Sequence, residues 1–217
     1  MNRARPVKGE LQVIYDGGAA EHKLKQLGLD VPMIHEVLLY GHAEAATYTT
    51  FDPPGAGEYA RWSREVRRMT ELLVLDDWIR INPDNQPTIV HPSKRWCLVV
   101  TSGSSATGVW YATPTTKNPK GRSIREAVME NAELALLGPH DVNPALAGLR
   151  ETWTLMTYVN INDEIQSEVS LPREMPGDQI TAWEHRILIP TIDPSSGPEV
   201  QGGEEEPPSY DFDIVRK

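Results

Sequence analysis

The stretch WTLMTYVNINDEIQSEVSLPREMPGDQITAWEHRILI, residues 153–189, decides the fold of this chain of 217 residues. In three segments of it, apolar residues recur at every second position, and short polar turns separate the segments. Alternation of period two is typical of strands with one buried face, and short connections favour antiparallel neighbours. We therefore predict a three-stranded antiparallel meander with one face buried and the other in water. The residues predicted to share the buried face are Trp153, Leu155, Val159, Ile165, Val169, Trp183 and Ile187.

Helical patterns dominate the first third of the chain. The clearest runs over residues 58–75, where apolar side chains recur at intervals of three and four. Two further helices are predicted there, over residues 19–27 and 31–48. A fourth, over residues 123–137, begins with the capping-box pattern Ser123-x-x-Glu126 and ends before Gly138 and Pro139.

These elements predict an α+β fold, in which N-terminal helices precede a mainly antiparallel sheet with one packed helix. A single domain should span residues 1–190, with a helical part over residues 1–80 and a sheet-rich part over residues 88–190. Residues 191–217 are acidic and rich in proline and glycine. Such a segment buries little apolar surface, so we expect a tail that is flexible unless a partner holds it.

Charge is distributed unevenly along the chain, whose net charge is −10. Residues 140–217 hold 5 lysines and arginines against 15 aspartates and glutamates, whereas the preceding residues are neutral. The acidic part would repel phosphates, so broad coating of nucleic acid is not expected. No apolar run is long enough to cross a bilayer and no signal-peptide pattern is present, which favours a cytoplasmic protein.

A basic loop before the fourth helix is the best candidate for a binding site. Lys117, Lys120, Arg122 and Arg125 place four cations in nine residues without a carboxylate. A glycine- and hydroxyl-rich loop, a group of cations and a helix N-terminus are the parts from which anion sites are made. The candidate ligand-binding residues are Ser102, Gly103, Ser104, Thr107, Lys117, Lys120, Gly121, Arg122 and Ser123.

Three functions fit this loop and the charge distribution, and a purely structural surface loop is the competing interpretation. The first is an accessory protein that binds a phosphate-bearing ligand or an acidic partner surface. The second is a hydrolase or transferase for a phosphorylated small molecule, with Lys120 and Arg122 as electrostatic stabilisers and His91 as the one candidate base. The third is an acidic accessory protein of a mobile element that covers a basic surface on a nucleic-acid enzyme.

The sequence indicates no cofactor and no metal site. His35 and His42 are seven residues apart on a predicted helix, about 10 Å along its axis, which is too far for a shared zinc ion. The order of residues 102–108 is not that of a Walker loop. Cys97 is the one cysteine and lies in an apolar run, as expected for a buried structural thiol.

Overall fold

A computed structural model describes residues 5–6, 12–137 and 148–196. The predicted tail and the Gly138-Pro139 helix stop lie outside the described residues. The helices are α1 (Gly17–Gln26), α2 (Val31–Ala45), α3 (Ala56–Val74) and α4 (Arg122–Leu137). The strands are β1 (Arg5–Pro6), β2 (Val13–Tyr15), β3 (Ile79–Ile81), β4 (Thr88–Val90), β5 (Trp96–Ser102), β6 (Glu151–Val159), β7 (Ile165–Glu174) and β8 (Ala182–Ile192). The α+β class is confirmed, and no described helix is long and apolar enough to cross a membrane.

All eight strands belong to one mixed sheet in the order β1-β2-β8-β7-β6-β5-β4-β3. The predicted meander is its centre: β7 pairs antiparallel with both β6 and β8. Two pairs are parallel, β2 with β8 and β5 with β6. The chain passes from β5 to β6 through α4, so the loop over residues 103–121 leaves the carboxyl end of β5.

Helices α1, α2 and α3 cover one face of the sheet. Their buried side chains form one apolar cluster with Leu155, Val169 and Ile187 from the three central strands. Helix α2 is capped by Asp30, whose carboxylate accepts a hydrogen bond from the backbone N–H of Met33 at 2.8 Å. Helix α3 follows its predicted amphipathic pattern.

Helix α4 covers the opposite face. Ile124 and Val128 pack there with Met156, the neighbour of Leu155 in β6, and successive residues of a strand point to opposite faces. The helix begins one residue before its predicted start, since the Gly121 carbonyl accepts from the Arg125 N–H at 3.2 Å. Because α4 starts at Arg122, Ser123 lies inside the helix and is not its cap, while Glu126 accepts from the Arg122 side chain. The predicted capping box is therefore not formed.

The prediction that one face of the meander is in water is wrong, because α4 and the loop after β5 bury it. Thr154, Ser170 and Glu168, which the alternation places on the polar face, are at most 1% exposed. Their polar atoms are hydrogen-bonded within the protein; the Thr154 hydroxyl, for example, donates to the Ser170 carbonyl at 3.0 Å. Internal hydrogen bonding makes this burial tolerable.

Trp183 and Ile187 are both buried, as predicted, but they lie on opposite faces. Leu171 pairs with His185 while Pro172 pairs with Trp183, so β8 carries an extra residue at this point. Such a bulge reverses the side on which the following residues point. Trp183 therefore packs under α4, where its indole N–H donates to the Pro114 carbonyl at 2.8 Å.

Candidate functional site

A pocket of about 410 Å³ opens at the carboxyl end of β5. In open sheets with parallel strands, ligands bind outside the carboxyl ends of the strands, where loops diverge. The floor is the end of β5, one wall is the first turns of α3, and the other wall is the loop before α4. Its lining residues are Gly55, Glu58, Tyr59, Trp62, Gln86, Val100, Thr101, Ser102, Asn118 and Lys120.

The helical wall is held in place by the turn that starts α3 and by one indole. Gly55 caps the helix with a φ of 81°, a left-handed conformation that glycine adopts without strain. Two turns later the Trp62 indole N–H donates to the Val100 carbonyl at 3.0 Å, which fixes the ring against β5. The Tyr59 ring leans on Trp62 with 5.6 Å between centroids and an interplanar angle of 48°.

The loop wall is held by backbone hydrogen bonds to the sheet and to the loop before β8. The Lys117 N–H donates to the Ser102 carbonyl at 2.9 Å, and Gly103 forms a β-bridge with Thr116. The Lys120 N–H donates to the Asp178 carbonyl at 2.6 Å. Residues 116–120 therefore form an ordered segment that is hydrogen-bonded to the end of β5 and to the loop before β8.

The charges of the pocket do not cancel. The Glu58 carboxylate forms an ion pair with Lys117, at 2.6 Å between Nζ and Oε2, which ties the helical wall to the loop wall. Lys120 is half-buried, and among the described residues its ammonium group has no ion pair and no hydrogen bond. Burial lowers the pKa of Lys120 to about 8. Together with Lys117, which borders the lining, the described pocket has two cations against the one Glu58 carboxylate, an excess of one positive charge.

Two of the candidate ligand-binding residues, Ser102 and Lys120, line the pocket. Lys117 borders it through its ion pair with Glu58. Arg122 is on the exposed side of α4 and pairs with Glu126 at 2.7 Å. Gly121 and Ser123 flank Arg122 at the start of α4 and are not part of the lining.

The remaining candidates hold the loop together. The Ser104 hydroxyl accepts from the Thr115 N–H at 3.1 Å, and Thr107 is fully buried. A Cβ on Gly103 would lie 2.1 Å from the Thr107 hydroxyl oxygen, so a larger residue at position 103 would displace the Thr107 side chain. These residues shape the loop from inside.

The candidate base His91 is in another part of the fold. Its ring is stacked on Trp96, with centroids 4.1 Å apart, and meets the edge of Trp78. Burial lowers the pKa of His91. Its Nδ1 lies 2.8 Å from the Ser93 hydroxyl, and the ring is not part of the pocket lining.

His35 and His42 make structural contacts. His35 Nε2 lies 3.1 Å from the Pro190 carbonyl, and His42 lies 3.3 Å from the Asp163 carboxylate. Within residues 12–137 and 148–196, no three His, Cys, Asp or Glu side chains converge as metal ligands would. Cys97 is a buried free thiol.

The pocket residues that α3 contributes were not predicted from the sequence. Trp62 belongs to the apolar pattern of residues 58–75, and nothing in its spacing separates a core tryptophan from one that also borders a cavity. The signal available was the Asp52-Pro53-Pro54-Gly55 turn, which is followed by a long predicted helix with Tyr59 and Trp62 near its start.

Comparison with known protein families, with curated proteins and with solved structures gave no match. Function is therefore inferred from the pocket itself.

Proposed function

We propose that this chain is a binding protein that holds a small phosphate-bearing ligand in the pocket at the carboxyl end of β5. The observation that carries this proposal is the half-buried Lys120 ammonium group, which lines the pocket without a carboxylate partner in the described residues. A cation that has lost water without gaining a partner carries a desolvation cost. An anionic ligand would offset that cost with a charge-assisted hydrogen bond.

The rest of the lining supports an anion. Glu58 would repel a phosphate, but its charge is offset by Lys117. The first turn of α3 also borders the pocket, and the N-terminus of a helix carries unpaired N–H groups and a partial positive charge. Ser102 adds a hydroxyl that can donate to a phosphate oxygen.

A concave site favours a small ligand over an acidic protein surface. The volume of about 410 Å³ falls in the range of small-molecule pockets. Lys117 and Arg122, which a flat acidic partner would have to contact, are engaged with Glu58 and Glu126. The contacts proposed for the phosphate are accordingly those of Lys120 and Ser102.

Isothermal titration with ribose 5-phosphate tests this function. Lys120→Met should weaken binding roughly tenfold or more, since a charge-assisted hydrogen bond contributes about 1.5–3 kcal/mol. Lys25→Met removes an exposed lysine of α1 and should leave the affinity unchanged. Equal affinities of the wild-type protein and Lys120→Met, or no binding of ribose 5-phosphate or inorganic phosphate, would contradict the proposal.

A further inference from the structure

The helical wall of the pocket presents an aromatic ring that the fold leaves uncovered. Tyr59 is 67% exposed, although it lines a cavity in which Trp62 is half-buried. An exposed ring in a concave site is apolar surface that a ligand can cover. The phosphate-binding group Lys120 belongs to the opposite wall, so a ligand between the walls would meet a ring on one side and a cation on the other.

The two neighbours of the Tyr59 ring, Trp62 and Glu58, are held in position before any ligand arrives. Trp62 cannot rotate freely, because its indole N–H is bonded to the Val100 carbonyl at 3.0 Å. Tyr59 rests against Trp62, and Glu58, its neighbour in the first turn of α3, is tied to the opposite wall through Lys117. Because these neighbours are already ordered, the helical wall loses less conformational entropy when a flat group stacks on Tyr59.

We propose that the ligand of this pocket is a nucleoside monophosphate, with the base stacked on Tyr59 and the phosphate bound by Lys120. This inference rests on the proposed function and names its ligand class. Aromatic stacking suits any base, since every base has a π-face. The Asn118 side-chain amide, which makes no hydrogen bond to the described residues, can both donate to and accept from the polar edge of a base or the hydroxyls of a ribose.

Charge limits the ligand to one phosphate. The pocket has one uncompensated cation, and a di- or triphosphate would bring further negative charge towards the Glu58 carboxylate. The net charge of −10 likewise disfavours a polynucleotide. Of these ligands a free mononucleotide brings the least negative charge, about one unit beyond the charge of the Lys120 ammonium group at neutral pH.

The test compares AMP with ribose 5-phosphate, which lacks the base, by isothermal titration. We expect AMP to bind at least five-fold more tightly than ribose 5-phosphate, because stacking contributes to the affinity of AMP alone. Tyr59→Leu should remove that advantage and leave the affinity for ribose 5-phosphate within two-fold of wild type. Tyr111→Leu, which changes an exposed tyrosine outside the lining, should alter neither affinity.

Separate results overturn the two proposals. If AMP and ribose 5-phosphate bind equally and Tyr59→Leu alters neither, the nucleotide inference is wrong and phosphate binding by Lys120 stands. If neither compound binds, the proposed function itself is wrong. Tighter binding of a 5′-phosphorylated oligonucleotide than of AMP would also overturn the mononucleotide assignment.

Discussion

Glu168 of β7 and Arg186 of β8 form an ion pair inside the protein, with side chains 0% and 1% exposed. The Arg186 Nη2 donates to one carboxylate oxygen at 2.5 Å and Nε to the other at 2.9 Å. The guanidinium also donates to the carbonyls of Val109 and Ala112, while Glu168 accepts from the Gly108 N–H. The pair therefore fastens the loop over residues 103–116 to the sheet, and this loop leads into the wall that carries Lys120.

Removing the Arg186 guanidinium should lower the free energy of unfolding. Arg186→Met leaves Glu168 buried without its cation, and breaking one partner of a buried pair costs about 3–5 kcal/mol. Adding Glu168→Gln removes the uncompensated charge, so the double variant should be more stable than Arg186→Met alone. Urea denaturation measures both. A loss below about 1 kcal/mol for the single variant would show that the pair does not anchor the loop.

Glu65 should make stability fall as the pH rises. Its side chain is 1% exposed, and burial raises its pKa from 4.5 to about 7, although Arg61 at 3.9 Å and the Thr157 hydroxyl favour the charged form. The folded state holds this proton more tightly than the unfolded state. The contribution of Glu65 to the free energy of unfolding is therefore complete below pH 4.5. It falls by about 3 kcal/mol in all as the pH rises through about 7.

Comparison with Glu65→Gln isolates this effect, because the other carboxylates titrate alike in both proteins. The free energy of unfolding of wild type minus that of Glu65→Gln should decrease between pH 5 and pH 8. Glu71→Gln is the matched control on α3: Arg67 and Arg68 lower the pKa of Glu71, so the difference between wild type and Glu71→Gln should not vary between pH 5 and pH 8. A difference between wild type and Glu65→Gln that does not vary with pH would contradict the assignment.

Anion binding should weaken at alkaline pH. Burial lowers the pKa of Lys120 to about 8, and its neutral amine cannot form an ion pair. The second pKa of a phosphate monoester is about 6, so the ligand keeps its charge in this range. We expect the affinity for ribose 5-phosphate to fall about tenfold per pH unit well above the pKa of Lys120. Lys120→Arg stays protonated and should abolish the fall.

Gly103 and Thr107 should be strongly coupled. Gly103→Ala places a methyl group 2.1 Å from the Thr107 hydroxyl oxygen and should cost about 1–3 kcal/mol through overpacking. Thr107→Ala opens that space, so the double variant should lose less than the sum of the single variants. Thr107→Val keeps the bulk and should not rescue Gly103→Ala. Additive losses in thermal unfolding would show that the two residues are independent.

Much of the fold could be predicted from local sequence patterns. The period-two alternation of residues 153–189 was sufficient to predict three paired strands, and Leu155 and Val169 are buried as expected. The spacing of Val66, Met69 and Leu73 was sufficient for α3. In both cases one face of a single element packs on one core. The spacing of residues that are close in sequence is therefore enough to predict the element.

Contacts between distant residues decided the rest. Glu168 and Ser170 alternate with apolar residues as side chains on a solvent-exposed face would, yet Arg186 and α4 bury them. A local pattern does not reveal a partner from another element. The bulge that turns Trp183 away from Ile187 depends on the pairing of β7 with β8. Lys120 was recognised in the basic loop because that loop is contiguous in sequence. Tyr59 and Trp62 join it only when α3 packs beside the end of β5, since a pocket is formed by the meeting of elements and not by any one of them.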